Sequence, residues 1–156
     1  MDFMLSVLLV GIGATAATDL WALARKRLLG VAPPDFGLVG RWLACMPHGR
    51  FRHQSIAATR AVRGERLVGW IAHYLIGIAF AGILLGVWGI EWIRQPRLLP
   101  ALLVGIVTVA APLLVMQPGM GVGFSVHRAL QSLITHLVFG VGLYAAGWAA
   151  NVITTG

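Results

Sequence analysis

Three ionisable side chains that stand inside apolar stretches are the residues of this chain best suited to chemistry. They are Asp19, His73 and His136. A carboxylate and an imidazole can exchange protons, bind a cation or share a hydrogen bond. At membrane depth a charged side chain costs about 2.5–3.5 kcal/mol by insertion scales, so it needs a partner or water. We therefore expect Asp19 to pair with one or both histidines.

The spacing around these residues predicts where they point. His73 lies four residues from Gly69 and from Gly77, and the same step recurs as Ser132, His136 and Gly140. The acid ends a similar series, formed by Gly11, Thr15 and Asp19. Residues four apart share one helical face, and small residues on that face let a second transmembrane helix approach. The pattern predicts that each of the three groups faces a neighbouring transmembrane helix.

Several kinds of site remain open from these residue types. Asp19 with His73 or His136 can form a proton or cation site, and all three together suit zinc or iron. The two histidines at one depth can also ligate a haem. The simplest alternative is a set of structural hydrogen bonds, so no cofactor is expected. The polar residues expected to support the site are Thr15, Thr18, Ser132 and Gln117.

A catalytic constellation is absent from the sequence. Ser132 and His136 are one helical turn apart on the same helix, and no donors for an oxyanion accompany them. The single cysteine, Cys45, excludes an internal disulfide and any Cys-x-x-Cys motif. We therefore expect a protein that is not an enzyme.

The composition indicates the class of protein that positions these groups. Of the residues, 58% are hydrophobic and 11% are charged, whereas a soluble domain has about 25% charged residues. Four apolar segments are long enough to cross a hydrocarbon core of about 30 Å. They cover about residues 3–24, 67–90, 98–116 and 129–150. The sequence predicts an all-α integral membrane protein with one four-helix domain over residues 1–156.

The basic connection (residues 25–66) predicts the orientation. It holds nine of the twelve Lys and Arg residues, so the positive-inside rule places it in the cytoplasm and both termini outside. Four of its arginines, Arg50, Arg52, Arg60 and Arg63, are expected to lie on anionic lipid. Membrane orientation accounts for the net charge of +7, so nucleic acid is not an expected partner.

Local patterns predict two short helices in the basic connection and a break in the third span. Apolar residues recur on one helical face between Leu38 and Met46, which indicates an interfacial helix. Ser55 can cap another helix that runs to Val62. Pro112 predicts an interruption of the third helix, and the run from Gln117 to Gly123 predicts its end, followed by a flexible turn. This glycine run lacks the Lys-Ser/Thr of a phosphate loop.

The two halves of the chain are similar to each other. Residues 10–20 align without gaps on residues 104–114, and the two histidine series also correspond. This predicts two tandem helical hairpins with the same orientation in the membrane. Asp19 corresponds to Leu113, so a site built from both halves would be asymmetric.

Several motifs together resemble one family of small bacterial membrane proteins, catalogued as domain of unknown function 2938. They are Gly11-Ile12-Gly13-Ala14-Thr15, Asp19-Leu20-Trp21, Gly37-Leu38-Val39-Gly40-Arg41-Trp42, Gly69-Trp70, His73-Tyr74, Gln117-Pro118, Gly121 and Ser132-Leu133 with His136. The resemblance covers nearly the whole chain. It implies a multi-pass protein of the bacterial inner membrane and carries no biochemical activity with it.

Two classes of function follow from these features. One is a small transporter or permease-like protein that uses Asp19, His73 and His136 as a proton- or cation-linked polar site. The other is an accessory or scaffold protein whose polar cluster holds the bundle together. Interrupted helices often line transport sites, which favours the first, whereas four helices rarely enclose a pathway, which favours the second. We expect the first, either as a homo-oligomer or with a membrane-protein partner.

Overall fold

The computed structural model describes the backbone of residues 2–155 and the side chains of residues 2–153, and within this range it contains helices and no strands. The helices are α1 (Phe3–Leu29), α2 (Phe36–Cys45), α3 (Glu65–Trp88), α4 (Glu91–Arg94), α5 (Leu98–Thr108), α6 (Gln117–Met120) and α7 (Val126–Thr155). A 3₁₀ turn (Met46–His48) follows α2, and a π-helical turn (Ala111–Met116) joins α5 to α6. Four helical stretches are long and apolar enough to span a membrane: Phe3–Leu29, Glu65–Trp88, Leu98–Met120 and Val126–Ile153. The predicted class, an all-α protein with four membrane helices, is confirmed.

The four long helices form two hairpins that meet along α1 and α7. Helix α1 packs on α3 and on α7, and α7 also packs on α5. The core between them is filled by apolar side chains such as Val10, Leu84 and Leu143, each almost fully buried. Because α1 and α7 pack extensively while α3 and α5 touch lightly, the two hairpins do not meet symmetrically.

Small residues set the close helix contacts within each hairpin. In the first, a Cβ at Gly77 would overlap the hydroxyl of Thr15 on α1. In the second, a Cβ at Gly105 would overlap the carbonyl oxygen of His136, and Gly140 lies against the same stretch. Corresponding glycines therefore make the contacts in both hairpins, as small-residue packing in membranes predicts. The tandem repeat itself stays a prediction.

Helix α2, predicted as an interfacial helix, packs on α3. Gly40 of α2 and Gly69 of α3 lie so close that a Cβ on either would overlap backbone atoms of the other helix. Gly69 therefore faces α2 and not a second transmembrane helix, which corrects the prediction from its spacing. The carboxylate of Asp35 caps α2 by accepting from the Gly37 N–H at 2.9 Å.

The apolar face of α2 forms a second, smaller core with the end of the third span. Trp42, Ile56 and Met120 are buried together there, and the Trp42 indole N–H donates to the Phe51 carbonyl at 2.9 Å. The chain near Ile56 forms turns and no helix, so the prediction of a helix from Ser55 to Val62 is wrong. Backbone bonds to α6 hold this segment instead, including Ile56 N–H to the Met120 carbonyl at 2.9 Å.

Arg41 fixes the same segment from the polar side of α2. Its guanidinium makes two bonds to the Glu65 carboxylate, at 2.7 and 2.8 Å, and donates to the Thr59 carbonyl at 2.8 Å. The hydrogen bond to Glu65 raises the pKa of Arg41. A bidentate pair holds both planes in register, so Arg41 joins α2, the start of α3 and the turn between them.

The third span continues past its predicted end. Pro112 has no N–H to give to the carbonyl four residues before it, and the helix widens into the π-helical turn at that point. It then runs through α6 and ends at Gly121, which has φ +73°. The helix therefore ends within the predicted run from Gln117 to Gly123, about one turn beyond residue 116. A β-carbon at Gly121 would overlap the backbone of residues 53–54, so this glycine serves packing.

Candidate functional site

Asp19 accepts two side-chain hydrogen bonds from α3. The His73 Nε2 lies 3.0 Å from Asp19 Oδ1, and the Tyr74 hydroxyl donates to Asp19 Oδ2 at 2.8 Å. Both carboxylate oxygens are therefore engaged. We call Asp19, His73 and Tyr74 the acid–imidazole site.

The helix packing explains why these groups meet. Gly77 brings α3 close to Thr15 of α1, and one turn further along each helix the side chains of His73 and Asp19 face each other. A carboxylate acceptor at Nε2 requires that this nitrogen carries the proton. The Nδ1 of the neutral ring then has a free lone pair and can accept a further proton. Protonation would convert a site with one negative charge into a neutral ion pair.

Aromatic rings surround His73 on the side of the basic connection. Phe36 of α2 lies over the imidazole with ring centroids 4.3 Å apart, and Trp70 lies edge-on at 5.8 Å. A shallow cleft of about 320 Å³ opens next to these two rings. Its lining residues are Pro33, Pro34, Asp35, Phe36, Gly37, Arg66 and Trp70. The site therefore lies beside an opening of the protein surface that carries one acidic and one basic residue.

The acid–imidazole site is not sealed inside the bundle. The side chain of Asp19 is 26% exposed and that of His73 is 22% exposed. Asp19 stands six residues before Arg25, which is about 9 Å of helix. About a quarter of the surface of each side chain is therefore not covered by the protein. This exposure distinguishes the pair from one that the bundle encloses completely.

His136 does not join this site, which corrects the prediction that all three groups converge. Its Nδ1 lies 3.0 Å from the Thr108 hydroxyl of α5, and that hydroxyl donates to the Gly105 carbonyl at 2.8 Å. Because the one hydroxyl proton goes to the carbonyl, His136 Nδ1 must donate, so the ring is the Nδ1–H tautomer. His136 thus serves the α5–α7 hairpin, and His73 serves the α1–α3 hairpin.

The residues predicted to support the site have other tasks. Thr15 and Thr18 donate to carbonyls of their own helix, those of Gly11 and Thr15, each at 2.7 Å. Ser132 and Gln117 have no hydrogen bond to the acid–imidazole site among the described contacts. The supporting groups are instead Tyr74 and Phe36. Tyr74 directly follows His73, and this adjacency is the only sequence signal that points to it.

Neither predicted alternative for a bound group is assembled by the described residues. No group of three or more His, Cys, Asp or Glu side chains there lies close enough to hold a metal ion. The set of Asp19, His73 and His136 is therefore not a ligand set. A haem between His73 and His136 does not fit either, because each ring is bonded to a residue of its own hairpin.

The four predicted surface arginines differ in exposure from Arg25. Arg50, Arg52, Arg60 and Arg63 are all exposed. Arg25, by contrast, is buried at the end of α1, where its Nη1 donates to the Gln131 amide oxygen of α7 at 2.6 Å. The sequence predicted Arg25 as a positive charge of the basic connection that Asp19 could reach, and it did not predict the burial of Arg25, because burial of a long side chain leaves no local pattern.

These observations define a multi-pass helical membrane protein with a partly open acid–imidazole pair between its first two spans. Residues 8–150 match the family described as Protein of unknown function (DUF2938), and because the match covers most of the chain, the protein belongs to that family. The predicted family is confirmed. No curated protein and no solved structure matches the chain.

Proposed function

We propose that this protein is a small permease-like protein of the bacterial inner membrane that couples the movement of a solute to protonation of the acid–imidazole site. The observation that carries the proposal is the double hydrogen bond of Asp19 to His73 and Tyr74 in membrane-spanning helices, with about a quarter of the pair exposed. Ionisable residues within transmembrane segments mark ion pathways and proton relays by default.

The geometry supports a defined proton step. Asp19 orients the imidazole through Nε2, so Nδ1 is the atom that accepts a proton. Protonation neutralises the net charge of the pair, and a neutral pair costs less to move into a drier environment. A cation that binds Asp19 would have the same electrostatic effect. The site can therefore alternate between a hydrated charged state and a less hydrated neutral state.

The orientation and membrane assignment belong to the same proposal. The basic connection lies on the cytoplasmic side by the positive-inside rule, with both termini outside. The acid–imidazole site is then closer to the cytoplasm, and the rings of Phe36 and Trp70 separate His73 from the cleft on that side. The exposed arginines of the basic connection lie near anionic lipid in this arrangement.

The packing of the bundle favours transport by an oligomer. Glycine contacts such as Gly11 on Ile78 and Gly142 on Ala14 leave the helices of one chain in direct backbone contact. A pathway through the centre of one copy has no room, so the solute would pass along the surface that carries Asp19, between copies. The same filled interior also supports the second candidate, an accessory protein without transport, which needs no enzyme activity or cofactor.

The test uses purified protein in proteoliposomes that contain a pH-sensitive dye. Small cations, neutral solutes and organic acids are added outside, one class at a time, and the internal pH is followed. We expect at least one class to cause a pH change that requires the protein. Asp19→Asn should abolish that change and His73→Gln should reduce it.

His136→Gln is the matched control, because it removes the other intramembrane histidine without touching the acid–imidazole site. It should keep the solute-dependent pH change once the amount of folded protein is equalised. A pH change that survives Asp19→Asn contradicts the proposal. Wild-type liposomes that show no solute-dependent change with any class would favour the accessory protein.

A further inference from the structure

Arg25 is a buried charge without an acidic partner. Among the described side chains, the buried polar or charged ones are Ser6, Thr15, Thr18, Arg25 and Thr108. Arg25 is the only one of them with a formal charge, and its residue is 8% exposed. The ion pairs of the described chain join other residues. A buried guanidinium normally has a carboxylate or phosphate beside it, so its counter-charge is missing here.

Two donors at this place also lack an acceptor. The Arg25 Nε and the Trp21 Nε1 are both enclosed and have no hydrogen-bond partner. The two side chains are neighbours, since the guanidinium carbon lies 5.9 Å from the centroid of the Trp21 ring. Because buried donors are almost always paired in folded proteins, two orphans side by side indicate that an acceptor belongs there.

The neighbouring end of α7 adds further donors. Arg25 reaches Gln131, which lies in the second turn of α7, and the Gln131 amide nitrogen lies 3.1 Å from His127 Nε2. The N-terminal turn of a helix carries free N–H groups and a partial positive charge, which favour an anion. His127 and Arg128 both stand in that turn. The end of α1 and the start of α7 thus provide many donors and few acceptors.

We propose that a phosphate group of an anionic ligand binds between the end of α1 and the start of α7, on Arg25 and Trp21. Both helices are membrane spans, so a phospholipid headgroup is one source of that phosphate and a free phosphate ion is the other. The site is separate from Asp19 and does not depend on the transport proposal.

The present contact of Arg25 shows how the anion would be seated. Its acceptor is now the neutral amide of Gln131, whereas a phosphate adds a counter-charge and can accept from two guanidinium N–H groups at once. A phosphate oxygen should therefore displace Gln131 from Nη1, and this movement opens access to the enclosed Nε. The released Gln131 side chain can keep its contact with His127.

The experiment measures thermal unfolding of the full chain in a neutral detergent during titration with three separate probes. These are phosphatidylglycerol, phosphatidylcholine and inorganic phosphate, with chloride added to equalise ionic strength. We expect a saturable rise in the unfolding midpoint with phosphatidylglycerol and none with phosphatidylcholine. If inorganic phosphate gives the same rise, the site is supported and its ligand is the free ion.

The variants separate a specific site from general positive charge. Arg25→Gln should remove the saturable rise, whereas Arg60→Gln, which removes an exposed arginine, should leave it nearly unchanged. Trp21→Phe keeps the aromatic ring and removes one donor, so it should raise the half-saturating concentration about fivefold. The proposal is overturned if Arg25→Gln weakens binding no more than Arg60→Gln. Should Arg25→Gln fail to fold, wild-type binding by Trp21→Phe would overturn it.

Discussion

The coupling energies of Asp19 with His73 and with His136 distinguish between two arrangements. One is the observed pair of Asp19 and His73, and the other is the shared site of all three residues that the spacing predicted. The perturbations are the single variants Asp19→Asn, His73→Gln and His136→Gln. Two double variants combine Asp19→Asn with each histidine substitution. In the structure Asp19 shares a hydrogen bond of 3.0 Å with His73 and none with His136. We therefore expect coupling in the Asp19–His73 pair and simple addition in the Asp19–His136 pair.

The magnitude follows from the charge and the exposure of the pair. A hydrogen bond to a charged group contributes about 1.5–3 kcal/mol when well enclosed. Here about a quarter of each side chain is open, so we expect a coupling of about 1–2 kcal/mol. For a chain of this length 1 kcal/mol corresponds to about 2–4 °C in the unfolding midpoint.

The assay is a double-mutant cycle on detergent-solubilised protein, with the unfolding midpoint as readout. The Asp19→Asn/His73→Gln double variant should be little less stable than the worse single variant. The Asp19→Asn/His136→Gln double variant should lose the sum of both effects within about 0.5 kcal/mol. Equal coupling energies in both pairs would support one shared site of all three residues. Additive effects in both pairs would show that the Asp19–His73 bond does not contribute to stability.

Three further predictions concern the basic connection and its docking on the bundle. Gly69→Ala should destabilise the protein by about 1–3 kcal/mol in a melting experiment, because the added Cβ overlaps the backbone of α2. Gly86→Ala, on an open face of the same helix, is the control and should be neutral or stabilising. Arg41→Gln should speed proteolysis between α2 and α3, because the Arg41 side chain bonds to the intervening turns and to the start of α3. Arg60→Gln, which removes an exposed arginine, should not speed it. Equal cleavage rates in the two variants would contradict the stabilising role of Arg41. Ser55→Cys in a cysteine-free background should react with a membrane-impermeant thiol reagent only after cells are opened, and labelling of intact cells would reverse the proposed orientation.

Periodicity predicted which faces of the helices are buried, but not what covers each face. The four-residue series through Gly69, His73 and Gly77 does lie on one packed face of α3. However, Gly69 meets α2 while Gly77 meets α1, and a repeat along one helix contains no information on which neighbour lies at each level. The same limit explains why His136, in a similar series, was predicted to meet Asp19 and instead meets Thr108.

The hydrogen bond of Tyr74 to Asp19 was not predicted, because Tyr74 stands outside such a series. Tyr74 follows His73 directly and therefore points about 100° away around the helix, yet its longer side chain still reaches the second oxygen of Asp19. Pro112 was predicted to interrupt the third span. In the structure the helix accommodates the proline, which has no N–H, by a π-helical turn and continues to Met120.

The central claim, that Asp19 is one half of a proton-exchanging pair with His73, is tested most directly by infrared spectroscopy. Difference spectra of the protein in lipid, recorded between about pH 9 and about pH 4, report protonation of single carboxyl and imidazole groups. The account predicts linked carboxyl and imidazole bands: in Asp19→Asn the carboxyl band is lost and the imidazole band of His73 shifts, in Tyr74→Phe the carboxyl band shifts, and in His136→Gln both bands persist. Spectra in which the imidazole signal of His73 is the same with and without the Asp19 carboxylate would contradict it.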